Sequence, residues 1–178
     1  MIIKQLTNEN VPKAMELKIL CWTEELAGQA ENDLVLDKEV EFWTDWLNIL
    51  DEHNDIRVFI GAFEGNELLG IAAASFVESK YAPQEGIELN GLWVFPEYRG
   101  RGISLKMMLY ILDVFMPLGV MHMIVYNLHH APSNVFYKKF GGKVIDQEYQ
   151  MDGRLLVDIY EFELSDFKMQ LEQTLLRY

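Results

Sequence analysis

Apolar residues recur along the chain in two rhythms, one close to every second position and one close to every third or fourth. Residues 2–6 form a short apolar run followed by Thr7 and Asn8, which suit a helix cap, so a strand leading into a helix is predicted. Val11, Met15, Leu17, Leu20, Cys21 and Trp22 then lie on one helical stripe. A second helix is predicted from about Asp37 to Leu50, with Val40, Trp43, Trp46, Leu47 and Leu50 inward. Residues 57–63 and 68–77 read as strands joined by the turn Glu64-Gly65-Asn66-Glu67. Residues 87–95 form another strand, ended by Pro96, and 103–115 a strongly apolar helix stopped by Pro117 and Gly119. A buried strand over 121–126 and a short helix over 132–140, closed by Gly141-Gly142, follow. Strands 143–149 and 155–162 turn about Asp152-Gly153, and a helix over 165–176 ends the pattern.

The order β, α, α, β, β, β, α, β, α, β, β, α predicts one α/β domain with a mixed sheet, hairpins at both ends and a strand–helix–strand unit in the middle. No repeat, linker or composition break divides residues 1–178, so the expected organisation is a core over 1–164 and a C-terminal helix over 165–178. Half of the residues are hydrophobic and 12% aromatic, which excludes a disordered acidic tail. The single cysteine, Cys21, excludes a disulfide framework and a cysteine-based zinc site, and its place on the helical stripe makes it a core residue. No apolar run is long enough to span a bilayer, and MIIKQLTNEN lacks a secretion signal, so a cytoplasmic protein with no membrane partner is expected.

Charge sharpens this picture. The net charge of -13 argues against a nucleic-acid partner. It is unevenly spread, however. Residues 99–143 carry six basic side chains against Asp113 alone, whereas residues 9–55 hold 13 acids and three lysines. The basic segment contains the most informative stretch, Leu92-Trp93-Val94-Phe95-Pro96-Glu97-Tyr98-Arg99-Gly100-Arg101-Gly102-Ile103-Ser104. A strand ends in proline, passes through a loop with two glycines and enters a helix. Glycines let backbone amides approach a ligand, and the helix start offers unpaired N–H groups to an anion such as a pyrophosphate. Arg99 and Arg101 add charge at the rim. A Walker loop is absent, and a dinucleotide fingerprint lacks its third glycine because position 105 is Leu105.

This stretch resembles the acyl-CoA-binding motif of the GNAT superfamily of N-acetyltransferases, with Gly100 and Gly102 at the motif glycines and Glu97 where Gln or Arg is usual. A second block, Ser133-Asn134-Val135-Phe136-Tyr137-Lys138-Lys139-Phe140-Gly141-Gly142, is similar to the family's later helix. The resemblance implies a GNAT-like fold whose two central strands splay apart, so that pantetheine pairs with strand 89–95 like an added strand. It implies acetyl-CoA as donor, held by Trp93, Val94, Phe95, Arg99, Gly100, Arg101, Gly102, Ile103 and Ser104, with Asn134 or Asn127 on the pantetheine. Backbone N–H groups around Val94 would polarise the thioester, and Tyr137, unless its ring only packs, would protonate the leaving thiolate. Glu88, six residues before Val94, would share its sheet face in the absence of a bulge. That makes it the candidate general base, the alternative being a solvated strand-end carboxylate.

The adjacent His129 and His130, with His122, give no convincing metal-ligand spacing, so no metal is expected. In this family the first two helices wall the acceptor site. Here they carry Glu24, Glu25, Glu31 and Asp33 around Gly28, which favours a cationic amine acceptor. The expected function is direct acetyl transfer from acetyl-CoA to a primary amine, with a non-catalytic acyl-CoA-binding module as the alternative. The C-terminal helix would pack on the domain or on a second subunit, leaving a homodimer open.

Overall fold

The computed structural model describes residues 1–26, 28–48, 56–77 and 86–178. The strands are β1 (Ile2–Gln5), β2 (Arg57–Glu64), β3 (Glu67–Phe76), β4 (Gly86–Val94), β5 (His122–Leu128), β6 (Lys143–Gln150) and β7 (Leu155–Glu163). The helices are α1 (Val11–Glu25), α2 (Leu36–Asn48), α3 (Ile103–Phe115), α4 (Asn134–Lys139) and α5 (Leu164–Leu175). The predicted elements are therefore present in the predicted order. Leu50, the expected end of the second helix, lies outside the described residues. The first helix starts after Asn10 rather than at Thr7-Asn8, because Asn10 Oδ1 turns back to accept from the Thr7 amide at 3.1 Å.

The seven strands form one sheet in the order β1-β2-β3-β4-β5-β7-β6. Helices cover both faces, which is why β3, with the sequence ELLGIAAASF, is buried from Leu68 through Ala74. Leu69, Ala72 and Ala74 pack with Met107, Met108, Ile111 and Phe115 of α3. Ile71 and Ala73 turn to Val11, Met15 and Cys21 of α1 and to Trp43 of α2. Seven residues of α3 are buried, each worth roughly 1.5–3 kcal/mol over exposure, so packing rather than propensity holds this helix.

The C-terminal helix packs on the domain itself, with Leu164, Phe167 and Leu171 in the α3-side core. Its start is capped by Glu163, whose carboxylate accepts from the amides of Ser165 (3.2 Å) and Asp166 (2.8 Å). Among the described residues no helix is long and apolar enough to cross a membrane.

Two irregularities in β4 position the site. Its pairing with β5 is parallel and covers only Gly86↔His122, Ile87↔Met123 and Glu88↔Ile124, after which the strands diverge. On its other edge the register with β3 steps from Ala74↔Leu89 to Ala73↔Gly91, so Asn90 is an extra, bulged residue.

Candidate active site

Beyond the last β4–β5 pair, the backbone of β4 borders an open gap. The Phe95 amide donates to Leu69 O at 3.0 Å, which ties that residue's edge to β3. By alternation, the N–H and C=O of Val94 point into the gap. Pro96–Tyr98 form one 3-10 turn, and Arg99 is extended. Gly100 (φ 75°) and Gly102 (φ 72°) then take left-handed conformations that set α3 on its axis. Gly102 offers no capping side chain, and the first backbone bond of α3 closes only at the Lys106 amide on Gly102 O. The amides of Ile103, Ser104 and Leu105 are thus the unpaired donors at a positive helix end. They face a cleft of about 190 Å³ lined also by Tyr98, Phe136, Lys139 and Tyr178.

The two motif arginines do not face this cleft as free rim charges. Arg99 Nε donates to Val94 O at 3.0 Å, and its Nη2 reaches Glu24 Oε2 at 2.5 Å and Cys21 Sγ at 3.4 Å. Arg101 lies 3.4 Å from Glu64 Oε2 and stacks over the Tyr98 ring. Acids from α1 and β2, distant in sequence, compete for both guanidinium groups. Lys139, for which the second block implied no binding role, is a cation on the cleft wall.

A second cleft of about 310 Å³ adjoins the first and shares Val94, Arg99, Ser104 and Phe136 with it. Its walls are Cys21, Glu24 and Glu25 of α1, Leu92 and Trp93 of β4, and Pro132, Ser133 and Tyr137 at α4. Tyr137 is buried, its ring 5.5 Å from that of Tyr160 and 6.2 Å from that of Phe162. Burial foremost, then the charge of Glu25, pushes its phenol well above the ordinary tyrosine range, so the hydroxyl keeps its proton.

Burial likewise pushes the Glu25 carboxyl up; Glu24 adds to this, while Ser133 and Arg99 pull it back. Burial also raises the Cys21 thiol against the pull of Arg99, leaving it a poor nucleophile.

Three further expected site residues or pairs are placed differently from the sequence expectation. Asn134 is 6% exposed and has its whole hydrogen-bonding capacity engaged inside the protein. Its Nδ2 donates to Leu128 O (2.8 Å) and His129 O (2.9 Å), and its Oδ1 accepts from Asn127 Nδ2 (2.9 Å) and Tyr160 OH (2.8 Å). It joins the end of β5 to the start of α4 and keeps nothing for pantetheine. Glu88 does not share a face with Val94, because the bulge at Asn90 inverts the alternation. Ile87 and Leu89 before the bulge, and Leu92 and Val94 after it, all belong to the α3-side core, which leaves Glu88 on the α1–α2 side. Trp93 and Phe95 pack toward α1 and α2, so of these two side chains only Trp93 reaches the second cleft.

Of the four expected acceptor-wall acids, Glu24 and Glu25 enter the cleft. Glu31 and Asp33 line a separate small one, where Asp33 lies 3.8 Å from Arg154. His129 Nδ1 pairs with Asp158 at 2.8 Å, and the described residues hold no group of three side chains able to bind a metal.

Residues 14–142 match the model of the acetyltransferase (GNAT) family. No curated protein matches the chain in sequence. Among solved structures, the PaiA N-acetyltransferase of Thermoplasma acidophilum in complex with coenzyme A is similar at 21% identity and TM-score 0.72, covering 91% of this chain and 98% of that one. An aminoglycoside 6'-N-acetyltransferase complexed with coenzyme A is similar at 18% identity and TM-score 0.68, covering 92% and 97%. A ribosomal-protein-alanine N-acetyltransferase from Brucella melitensis follows at 16% identity and TM-score 0.66, covering 92% and 99%. These likenesses concern the fold; the family match extends over most of the chain and includes both motif blocks. The chain belongs to the GNAT family of acetyltransferases.

Proposed function

We propose that the protein transfers an acetyl group from acetyl-CoA directly to the primary amine of a cationic acceptor, within one ternary complex. The observation that carries this is the joining of two clefts at Val94, Arg99, Ser104 and Phe136. One has the unpaired helix amides and Lys139 that a pyrophosphate needs. The other holds two carboxylates and a protonated phenol. A pantetheine running along the exposed edge of β4 would bring its thioester from the first to the second. Tyr137 would then protonate the departing sulfur, and Glu24 and Glu25 would favour a positively charged acceptor. The coenzyme A present in two of the similar structures supports the donor assignment.

The test is a coenzyme A release screen over neutral and cationic amines at low and high salt. Cationic amines should be preferred, and the preference should shrink as salt rises. Tyr137→Phe should cut turnover about 100-fold or more while coenzyme A affinity stays within about threefold. Equal activity on neutral and cationic amines would sink the acceptor assignment. Coenzyme A binding without turnover of any amine would favour a non-catalytic acyl-CoA-binding module.

A further inference from the structure

Glu25 has no role in the family motifs, yet α1 ends by placing its carboxylate in the cleft that holds Tyr137 and the gap-facing backbone of β4. We propose that Glu25 is the general base that takes the proton from the attacking amine, an inference that rests on the acetyl-transfer function above and deepens it.

Its carboxylate is oriented. Ser133 Oγ donates to Glu25 Oε2 at 3.0 Å, and Asn127 Nδ2 donates to that same Oγ at 2.9 Å. Asn127 in turn bonds the fully engaged Asn134, so the chain of contacts ends in the rigid β5–α4 junction. Among the described residues no hydrogen bond reaches Oε1, which leaves that oxygen for an incoming N–H.

The groups facing it come from three elements. Glu24 and Cys21 lie on its own helix, Arg99 on the β4–α3 loop, and Ser133 and Tyr137 at α4. Burial dominates their combined effect and moves the carboxyl upward, the direction that suits a base working near neutrality. The other carboxylates are less suited. Glu24 is about half exposed and already holds Arg99, and Glu88, although on the α1–α2 side of the sheet, does not line the cleft that holds Glu25 and Tyr137.

The step balances. The bound ammonium gives one proton to Glu25, and the nitrogen lone pair so freed forms the C–N bond at the thioester carbon. The C–S bond breaks with its electron pair on sulfur, which takes the proton of the Tyr137 hydroxyl. The acylated nitrogen gives its second proton to the Tyr137 phenolate and Glu25 releases its proton to solvent, so ammonium and acetyl-CoA become acetamide, coenzyme A and a proton.

The experiment is steady-state kinetics against pH for wild type, Glu25→Gln, Glu25→Asp and Glu88→Gln. The acceptors are 1,4-diaminobutane and 2,2,2-trifluoroethylamine, the latter unprotonated at neutral pH. Glu25→Gln should lower kcat on the diamine about 100-fold or more and remove the acidic limb of the profile. With trifluoroethylamine the deficit should shrink below about tenfold, and Glu25→Asp should recover part of the loss. Calorimetry should show coenzyme A affinity within about threefold of wild type. A raised KM with kcat retained would reduce Glu25 to an anchor for cations and overturn the proposal. So would a loss seen only in Glu88→Gln. A wild type inactive on every amine would instead sink acetyl transfer itself, and the role of Glu25 with it.

Discussion

Replacing Asn134 with alanine removes four hydrogen bonds from a site that is 6% exposed. The cost follows from what each partner can do afterwards. Asn127 and His129 are half-buried, and water can replace the lost bond at about 0.5 kcal/mol each. Leu128 O and the Tyr160 hydroxyl sit in buried residues, and stranding them costs about 1–2 kcal/mol each. The sum is about 3–5 kcal/mol. For a chain of this size that lowers Tm by about 6–20 °C, read by circular dichroism on heating. Coenzyme A affinity of the folded protein, measured well below that Tm, should stay within about threefold of wild type.

Tyr160→Phe supplies the control, since it removes the hydroxyl that Asn134→Ala strands. The double variant should be more stable than additivity allows by about 1 kcal/mol. A strong loss of coenzyme A affinity with Tm unchanged would refute this reasoning and make Asn134 a ligand contact after all.

The phosphate loop and the acidic cleft give two more outcomes. Gly102→Ala forces a left-handed residue at φ 72° and brings a Cβ to 3.1 Å from Leu175 Cδ2. It should cost about 1–2 kcal/mol for the conformation and more for the contact, whereas Gly100→Ala, at φ 75° in open space, should cost only the former. Equal melting temperatures for the two would refute the packing of α5 on this glycine. Glu25→Gln should raise stability at neutral pH. The folded carboxyl titrates above its unfolded value, so wild type loses stability as pH rises from the ordinary carboxylate range through the raised value. Melting curves should therefore separate at neutral pH and converge as pH falls toward about 4; the reverse order would refute the direction of the shift.

The elements were legible in the sequence because each is bounded by residues with few alternatives. Pro96 with Gly100 and Gly102 marks one boundary, Gly141-Gly142 another and Asp152-Gly153 a third. The β4 bulge was not legible in this way. Asn90-Gly91 is a weak mark inside an apolar run, and one extra residue reversed the face assigned to Glu88. Asn134 was misread because a polar residue near a helix start looks available until β5 and Tyr160 close around it. Glu25 was visible only as one of four acids on the expected acceptor wall, with nothing to mark it as a base. Nothing local to α1 says that its last residue meets Ser133, 108 positions away.

The charge contrast survives in altered form. Of the six basic residues between 99 and 143, Arg99 and Arg101 are paired with acids in the free protein. Arg99 sits at the junction of the two clefts, on the Val94 carbonyl that faces the gap and on the Glu24 carboxylate. Both side chains of that ion pair are about half exposed, so it holds by about 0–1 kcal/mol. A pyrophosphate in the loop is a stronger attraction for a guanidinium, because it adds charge and bidentate geometry. Drawing Arg99 toward the loop would free the Val94 carbonyl and uncover the charge of Glu24 together. The second cleft would then become more negative when the first is filled. The acidic excess on α1 would then bear on the proposed cationic acceptor most strongly after the donor is seated, which a residue count along the chain cannot express.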